Sequence, residues 1–585
     1  MDQGIARETL EKDAFMNKKY HTHTLVWLSR TVGKEKIHVL FLAFLQAALG
    51  ASGILYAFLF RSLIDWAVEK DEGGFIRAVA GLAVLVVSQM ALNALGNFLY
   101  EWSRAVIENR LKERLFSCLL YKSYVSVTDV HSGEWMNRLT SDTGVVAGGI
   151  LEIVPGLTGM VIRLAGALIA ICMLEPLFAS ILIPGGFLIL LLTYGFRKIL
   201  KRLHKQIQEA DGAVRVFLQE RLGNLMIVRT FAMEKRTLEN ASEKMRQHKA
   251  ARIRRNLLSN LCNTAFGAVA NGMYLFSAIY CGYGILQGTI SYGTMIAMLQ
   301  LIGQVQSPFA NITGYLPKYY TMIASAERLM EAEYFQEDCE GERISPQEIS
   351  RFYREEFKSI GLRKVSFAYR PRNGDLKTVV LNQIDIDIQK GEYVAFTGRS
   401  GCGKSTVLKL LMSLYPLDAG ECYISSKAAE GREQLLDARW RGLFAFVPQG
   451  NQLMSGTIRE AVAFGDSEEM RQEERMMEAL RIACADEFVN HLQDGLDTML
   501  GERGSGLSEG QMQRLAIARA IFSGHPILML DEATSALDEE TEQRLLGNLK
   551  NMTDKTVLIV THRSAVLEIC DKQIAMGQRS CATVH

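Results

Sequence analysis

The stretch Gly398-Arg399-Ser400-Gly401-Cys402-Gly403-Lys404-Ser405-Thr406 follows the apolar run 393–397 and leads into a helical pattern at 407–414. It fits the phosphate-loop pattern of glycine, four residues, glycine, lysine and a hydroxyl residue, placed between a strand and a helix. Glycines let the backbone curl so that successive N–H groups and the helix N-terminus face one anion. Lys404 would reach the β- and γ-phosphates, and the Ser405 hydroxyl would join a Mg²⁺ shell. All nine residues are therefore predicted to line a nucleoside triphosphate site, with an ordinary glycine-rich turn as the alternative.

The length and charge of the chain limit the classes of protein to which it can belong. Its 585 residues are too many for one core, so several domains are expected. A net charge of +1 gives no reason to expect nucleic acid as a partner, because nucleic-acid-binding surfaces are strongly basic. The ten cysteines form no CxxC pair and no metal-ligand cluster. Neither a disulfide framework nor a zinc site is predicted.

The first half of the chain is very apolar. Six stretches reach the roughly 20 mainly apolar residues that a bilayer span needs: 37–64, 76–100, 150–174, 177–200, 257–286 and 292–316. Lys and Arg collect before the first span, on both long connections and hardly at all on the three short ones. By the positive-inside rule, both termini and the long connections are cytoplasmic. We expect residues 1–330 to form a multi-pass domain of the cell membrane. Residues 20–30 would be an interfacial segment or a solvated helix.

Two features of this half concern contacts and substrate. The long connections, residues 101–149 and 201–256, have a helical period and predict cytoplasmic extensions of the membrane helices. Within them, residues 132–139 and 220–225 are candidate contact elements for a soluble domain, with solvated coiled segments as the alternative. Arg163 lies well inside the third span, where a cation is costly. It either faces a wet cavity and a polar or anionic substrate or pairs with an acid on another helix.

The second half is soluble in character. Residues 331–357 are charged, contain Pro346 and are typical of a linker. From residue 358 to 585, strand-like runs alternate with helical ones, which predicts an α/β domain with a largely parallel sheet.

Two buried strands of this sheet are predicted to end in functional side chains. The apolar run 527–530 ends in Asp531 and Glu532, at the edge where ligands of such sheets bind. Asp531 is placed to hold Mg²⁺, and Glu532 to polarise the attacking water. The run 556–561 delivers His562, whose imidazole is placed to contact the γ-phosphate. Singly, each is a weak signal, because acids at strand ends often cap helices and a lone histidine is usually structural.

One further motif joins these signals. Leu507-Ser508-Glu509-Gly510-Gln511, followed by residues 513–520, closely resembles the signature motif of ATP-binding cassette (ABC) proteins and stands between the phosphate loop and the acidic strand, as in that family. Six spans with two long connections before one cassette resemble an ABC exporter half-transporter over nearly the whole chain. The fold implied is an α-helical transmembrane bundle of six spans with long cytoplasmic extensions, joined to an α/β P-loop nucleotide-binding domain with a helical subdomain.

The resemblance also implies roles for single residues. Gln449 matches the Q-loop glutamine, which senses Mg²⁺ and the membrane domain, and Tyr369 matches the aromatic residue that stacks on adenine. Residues 535–538 match the D-loop, and residues 501–504 match the X-loop of exporters.

The signature implies that one copy is not enough. In this family two cassettes bind head to tail, and the residues matching Ser508 and Gly510 of one cap the γ-phosphate held by the other. Gln511 belongs to the same predicted nucleotide contact. Glu509 departs from the pattern, because the commonest signature has a glycine there. Its side chain is expected to point away from the phosphate, although it could also mark a weakened site.

The expected function is ATP-driven export of a small molecule, lipid or peptide out of the cytoplasm by alternating access, with ATP and Mg²⁺ as cofactors. The chain should pair with a second half-transporter. Glu532 and His562 are intact, which favours a homodimer and leaves a heterodimer open. The alternatives are an ATP-gated channel or regulator and a soluble ABC ATPase of the DNA-repair type, which the six spans disfavour. The sequence does not identify the substrate.

Overall fold

The computed structural model describes residues 23–339, 341–369, 378–427, 433–450, 453–466, 468–501, 506–577 and 581–584. The chain divides into two compact units. The first unit contains residues 1–114 and 137–330, and the second contains residues 115–136 and 331–585. Residues 20–22 of the predicted interfacial segment and residues 502–504 of the predicted X-loop lie outside the described residues.

The first unit is helical, and each of the six predicted spans lies on a long helix. Its helices are α1 (residues 23–32), α2 (Lys36–Glu69), α3 (Glu72–Tyr121), α6 (Thr143–Leu174), α7 (Pro176–Gly223), α8 (Leu225–Thr230), α9 (Glu234–Leu286) and α10 (Tyr292–Glu331). Within the described residues, four helical stretches have both the length and the hydropathy of a membrane span: His23–Glu69, Glu72–Tyr121, Ser132–Leu174 and Gly267–Leu286. The spans predicted at 177–200 and 292–316 lie on α7 and α10.

Small residues let α2, α6 and α10 approach closely. A Cβ added at Gly50 of α2 would lie 2.9 Å from the carbonyl oxygen of Gly159 on α6. Such contacts between small residues are the usual means of packing helices in a membrane, where no hydrophobic force drives association. Arg163, one turn from Gly159, is half-buried, and the part of the chain that the structure describes offers it no hydrogen-bond or ion-pair partner. An acidic partner on another helix, one of the two roles open for it, is not found among these residues.

The extensions of α6 and α10 carry an ion pair whose carboxylate is buried and whose guanidinium is 44% exposed. The Asp142 carboxylate is 3% exposed and accepts hydrogen bonds from the Arg328 guanidinium at 2.6 and 2.7 Å. The Ser325 hydroxyl donates a third hydrogen bond to this carboxylate, at 2.9 Å. Asp142 ends a π-helical turn, Arg138–Asp142. Because a buried carboxylate requires such partners, this cluster fixes the register between the two helices.

The described residues of the second unit form three sheets. Its strands are β1 (Phe357–Tyr369), β2 (Thr378–Gln389), β3 (Tyr393–Gly398), β4 (Ala419–Ser426), β5 (Glu433–Leu435), β6 (Phe444–Val447), β7 (Gly456–Thr457), β8 (Met499–Leu500), β9 (Ile527–Asp531), β10 (Thr556–Val560), β11 (Lys572–Met576) and β12 (Cys581–Val584). The largest sheet has the order β12-β11-β3-β10-β9-β6, with every pair parallel except β11 and β12. An antiparallel sheet has the order β2-β1-β4-β5, and β7 pairs with β8.

The described helices of this unit are short, none longer than 14 residues. They are α4 (Tyr124–Thr128), α5 (Ser132–Asn137), α11 (Pro346–Glu355), α12 (Lys404–Leu411), α13 (Ile458–Ala463), α14 (Glu473–Ile482), α15 (Asp486–His491), α16 (Glu509–Phe522), α17 (Glu539–Lys550) and α18 (Ser564–Leu567). Every residue of β9 and β10 is buried, which explains why these strands are apolar without alternation. Because β3, β10 and β9 are neighbouring parallel strands, their carboxyl ends meet at one sheet edge.

Residues 115–136, from the first long connection, fold with the soluble half. The Tyr124 ring packs edge-on against Tyr415, with centroids 5.8 Å apart, and Trp135 packs edge-on against Phe335 at 6.1 Å. The backbone N–H of Ser123 donates to the Gln336 carbonyl at 2.9 Å. Trp135 belongs to a predicted contact element, whereas Tyr124 was not singled out in the sequence.

Candidate nucleotide site

The phosphate loop connects β3 to α12 through glycines in backbone conformations that other residues rarely adopt. Gly398, Gly401 and Gly403 have φ angles of 135°, 80° and 103°. A Cβ at Gly398 would lie 2.3 Å from the Met576 carbonyl oxygen on the neighbouring strand β11. The loop therefore requires glycine at Gly398 for space as well as for conformation.

Six loop residues differ in what they present to the site. Arg399, Ser400 and Gly401 are exposed, while Cys402, Gly403 and Thr406 are buried. Cys402 belongs to the apolar core beneath the loop, so its thiol packs inward rather than toward a ligand. The contact that this residue can offer a phosphate is its backbone N–H.

Lys404, the first residue of α12, is only 5% exposed. Its ammonium group donates hydrogen bonds to the carbonyl oxygens of Gly398 at 2.8 Å and Arg399 at 3.1 Å. It also lies 3.1 Å from Nε2 of His562. Since lysine has only donors, a hydrogen bond between the two runs from the ammonium group to Nε2. The loop thus holds a cation in the position where the β- and γ-phosphates are predicted.

Ser405 and Asp531 bring two side-chain oxygens, a hydroxyl and a carboxylate, next to each other. The Ser405 hydroxyl donates to Oδ1 of Asp531 at 2.7 Å, and Asp531 is 3% exposed at the end of β9. Burial raises the pKa of the Asp531 carboxyl above its usual value, and the hydrogen bond from Ser405 opposes that rise. A hydroxyl and a carboxylate are the hard oxygen donors that Mg²⁺ prefers, so the pair fits this ion. When bound, Mg²⁺ supplies positive charge against the β- and γ-phosphates.

The residue that follows Asp531 is held in a strained backbone. Glu532 has a φ angle of 53°, and its N–H donates to the Val560 carbonyl of β10 at 3.1 Å. Its carboxylate accepts a hydrogen bond from the Gln449 amide at 2.8 Å and lies 3.8 Å from Nε2 of His562. Left-handed backbone is uncommon for a residue with a side chain and concentrates at functional sites. The three predicted catalytic residues are thus brought together, although they come from different elements.

Tyr369 ends β1 beside the phosphate loop. Its hydroxyl lies 3.3 Å from the hydroxyl of Thr406, which ties the ring to the start of α12. Phe367 and Tyr415 each form an edge-to-face pair with it, with ring centroids 4.9 and 5.4 Å away. Edge-to-face packing fixes the orientation of a ring that must offer a flat face to a base. Tyr415 also contacts Tyr124, and the sequence carried no local signal for this role.

The signature stands at the N-terminus of α16. Ser508 is the N-cap, and its hydroxyl accepts a hydrogen bond from the Gln511 N–H at 3.3 Å while the Gln511 side chain accepts from the Ser508 N–H at 2.9 Å. Ser508 and Glu509 are exposed, and Gly510 is half-buried against the D-loop. The start of a helix attracts anions, and this one offers the small residues Ser508 and Gly510 with the exposed Glu509 between them. The side chain of Gln511 serves the cap.

Comparison with known proteins agrees with this geometry. Residues 39–309 match the ABC transporter transmembrane region, and residues 381–535 match the ABC transporter family of cassettes. The chain belongs to the ABC transporters. Both the predicted half-transporter architecture and the predicted fold class are confirmed. Hydrolysis of ATP coupled to transport is the activity of this ABC transporter, which is a multi-pass membrane protein.

Individual relatives cover most of the transporter. It is 27% identical over 545 residues to an ATP-dependent lipid A-core flippase of Haemophilus influenzae, covering 90% of this chain and 87% of the flippase. It is also 27% identical over 517 residues to a multidrug resistance ABC transporter ATP-binding and permease protein of Lactococcus lactis, covering 86% and 82%. A solved bacterial Atm1-family ABC exporter with ATP bound has the same fold, with a TM-score of 0.77, 22% identity and coverage of 94% and 95%.

Proposed function

We propose that this ABC transporter exports a small molecule, lipid or peptide from the cytoplasm by alternating access, as a dimer of half-transporters. The observation that carries the proposal is the convergence of Glu532, Gln449 and His562 beside a complete phosphate loop. A carboxylate held by an amide donor and close to an imidazole is suited to polarise a water against the γ-phosphate. A cassette with these groups intact can hydrolyse ATP in each cycle rather than serve as a passive clamp.

The mechanism follows from what each residue can do. Lys404 would exchange its carbonyl contacts for the β- and γ-phosphates, and Ser405 with Asp531 would hold Mg²⁺. Glu532 would accept a proton from the attacking water while His562 orients the γ-phosphate. The face of Tyr369 would stack on adenine. ATP would hold two cassettes together until hydrolysis and phosphate release separate them.

Two surfaces support pairing with a second copy. Ser508 and Gly510 present a helix N-terminus whose predicted ligand, the γ-phosphate, belongs to the other cassette. The middle of the second long connection, where the chain turns between α7 and α9, exposes large apolar side chains, including Met226 at 82% and Phe231 at 72%. An exposed apolar patch on a connection otherwise rich in charge is typical of a protein contact. Since Glu532 and His562 are both intact, we infer a homodimer, with a heterodimer as the alternative.

The placement of basic residues supports the orientation. Lys and Arg collect at the first span and on both long connections, so the cassette and both termini are proposed to be cytoplasmic in the cell membrane. We also propose the domain boundaries predicted from the sequence: the membrane domain at 1–330, the linker at 331–357 and the cassette at 358–585.

The substrate class is proposed from Arg163 and from the relatives. A half-buried cation within a span, without an ion-pair partner among the described residues, is suited to an anionic or polar group. Relatives named for lipid A-core flipping and for multidrug resistance point to amphiphiles. A screen of lipids, drugs and peptides for stimulation of ATPase activity in liposomes would identify the class. An unchanged profile in Arg163→Ala would count against a binding role for this residue.

The decisive experiment compares wild type with Glu532→Gln in liposomes. Glutamine keeps the size of the side chain and the acceptor for Gln449 but removes the base, so hydrolysis should fall by about 10²- to 10⁴-fold while ATP still binds and draws the cassettes together. Transport of the compound found in the screen should be lost with it. Glu539→Gln, at an exposed acid in the first turn of α17, is the matched control. Transport that continues without hydrolysis would show an ATP-gated channel, and cassettes that never approach would overturn the proposal.

A further inference from the structure

Two arginines of α3 hold the short helix α1 along one of its faces. The Arg114 guanidinium donates a hydrogen bond to the Thr31 hydroxyl at 3.1 Å and lies over the Trp27 ring, 5.8 Å from its centroid. The Arg110 guanidinium donates to the Val32 carbonyl at 3.3 Å. Thr31, Trp27 and Val32 are buried. This face of α1 is therefore covered by protein, and its position relative to α3 is fixed.

The opposite face of α1 exposes apolar side chains. Leu25 is 45% exposed and Val26 is 48% exposed, and the exposed Ile37 follows in the first turn of α2. Trp102 of α3 is also exposed, and its ring centroid lies 6.1 Å from that of His38 on α2. Tryptophan is enriched where a membrane meets water, because its ring is apolar and its N–H is polar. The exposed face of α1 is thus adjacent to the point where α2 is predicted to enter the membrane.

The turn that joins α1 to α2 packs against Arg110. It is a 3₁₀ turn, Gly33–Glu35, and Gly33 has a φ angle of 57°. A Cβ added at Gly33 would lie 2.8 Å from Nη1 of Arg110. The Arg110 side chain is exposed, and among the described residues its guanidinium donates only to the Val32 carbonyl. A guanidinium has five N–H donors, so Arg110 keeps donors for a ligand at this turn.

The same turn carries an excess of positive charge. Arg30, Lys34 and Lys36 are exposed on or beside it, and Arg110 adds a fourth cation. Within the part of the chain that the structure describes, none of these four side chains forms an ion pair with a carboxylate. The acid of the turn, Glu35, lies 2.6 Å from a histidine of α2 instead. Four such cations around one turn repel one another and favour the binding of an anion.

We propose that the turn between α1 and α2 binds the headgroup of an anionic phospholipid of the cytoplasmic leaflet, with Arg30, Lys34 and Arg110 around its phosphate. The inference rests on the proposed orientation, which places this turn at the cytoplasmic surface. The acyl chains lie against Leu25, Val26 and the start of α2. A phospholipid has both the negative charge and the apolar chains that these neighbouring surfaces require, whereas a soluble anion leaves the apolar face uncovered. The lipid is a bound ligand of α1 and not the transported compound.

The test is native mass spectrometry of the delipidated full-length protein, titrated with phosphatidylglycerol or with phosphatidylcholine. This method resolves each bound lipid and gives its Kd. Wild type should bind the first phosphatidylglycerol at least about tenfold more tightly than phosphatidylcholine. The double variant Arg30→Gln with Lys34→Gln removes two exposed cations. Each cation contributes about fivefold to the affinity for an anionic lipid, so the Kd for phosphatidylglycerol should rise about 25-fold while that for phosphatidylcholine stays within about twofold.

The matched control is Lys249→Gln with Arg252→Gln. It removes the same charge from two exposed residues that also precede a predicted span, but these residues lie on α9 and away from the turn. Its Kd for phosphatidylglycerol should stay within about twofold of wild type. A second variant, Leu25→Ser with Val26→Ser, keeps every cation and should weaken phosphatidylglycerol binding at least about fivefold, because the chains lose apolar contact. Without lipid, all variants should unfold within about 2 °C of wild type.

Several results would overturn the lipid site. Equal affinity of wild type for the two lipids would do so, as would an equal loss of affinity in the Arg30 and Lys249 double variants, which would show a general effect of surface charge. If glycerol 3-phosphate competes as well as the whole lipid, the turn binds a soluble anion and the lipid assignment is wrong.

Two further variants separate this inference from the proposed function. If Arg163→Ala weakens phosphatidylglycerol binding and the Arg30 double variant does not, the lipid binds as a substrate and the site at the turn is wrong. The Glu532→Gln variant should bind phosphatidylglycerol as wild type does although it no longer hydrolyses ATP. The lipid site can therefore fail while ATP-driven export stands, and export can fail while the lipid site stands.

Discussion

Alanine substitutions at three glycines with positive φ angles allow three effects to be measured separately in the cassette: backbone strain, steric overlap and interference with a bound ligand. Gly391, in a turn before β3, has a φ angle of 77°, and Gly401, in the phosphate loop, has one of 80°. An added Cβ meets no atom within 4 Å at either position. Gly398 has a φ angle of 135°, and its added Cβ would lie 2.3 Å from the Met576 carbonyl oxygen. Alanine at each position therefore imposes a different combination of penalties.

The magnitudes follow from these contacts. At Gly391 and Gly401, a left-handed alanine costs about 1–2 kcal/mol, and the restricted unfolded chain returns about 0.4–1 kcal/mol. The net loss of roughly 0–1.6 kcal/mol corresponds to about 0–6 °C for a domain of this size. At Gly398, backbone strain of about 1–3 kcal/mol adds to a similar cost of overpacking against β11. Gly398→Ala should thus lose roughly 2–6 kcal/mol.

The assay is thermal unfolding of the full-length protein in detergent, with and without Mg²⁺ and ATP, alongside binding of a fluorescent ATP analogue. Gly391→Ala should lose a few degrees and keep ATP binding. Gly401→Ala should lose as little stability but also lose ATP binding and the stabilisation by ATP, because its Cβ would enter the open space in which the phosphates are predicted to bind. An unfolding temperature for Gly398→Ala within about 2 °C of that for Gly391→Ala would refute the steric argument. Normal ATP affinity in Gly401→Ala would refute the assignment of the loop.

The other predictions concern two buried carboxylates. Burial raises the pKa of Asp531 above 3.8, so stability from its protonated form is full below pH 3.8 and is lost as pH rises through the raised pKa. Without nucleotide, the unfolding temperature of wild type should therefore fall as pH rises through this range, and that of Asp531→Asn should not show this fall. Equal dependence of the two unfolding temperatures on pH would contradict the raised pKa of Asp531. In the first unit, Arg328→Ala leaves Asp142, 3% exposed, without its cation and should cost about 3 kcal/mol. Asp142→Ala leaves only a 44% exposed guanidinium and should cost less, so the reverse order in thermal unfolding would disprove the argument.

The sequence by itself determined the features that depend on local chemistry. The phosphate loop, the signature and the acidic strand end need particular residue types at fixed spacing, so they were visible without a fold. The six predicted spans fall on long helices because span length and apolar content are local properties. The predicted catalytic residues also meet, since the carboxyl ends of parallel strands share one edge.

Only the tertiary structure decided which distant residues support that site. Tyr415 lies against both Tyr369 and Tyr124, and residues 115–136 fold with the soluble half although membrane helices follow them in the chain. The Arg563 guanidinium donates a hydrogen bond to the Ser535 carbonyl, which lies 28 residues earlier in the chain. No periodicity or spacing encodes such contacts, because they depend on the order in which strands join the sheet and on how the connecting segments return to it. The sequence specifies the reacting groups through local pattern, while their positioning is a property of long-range packing.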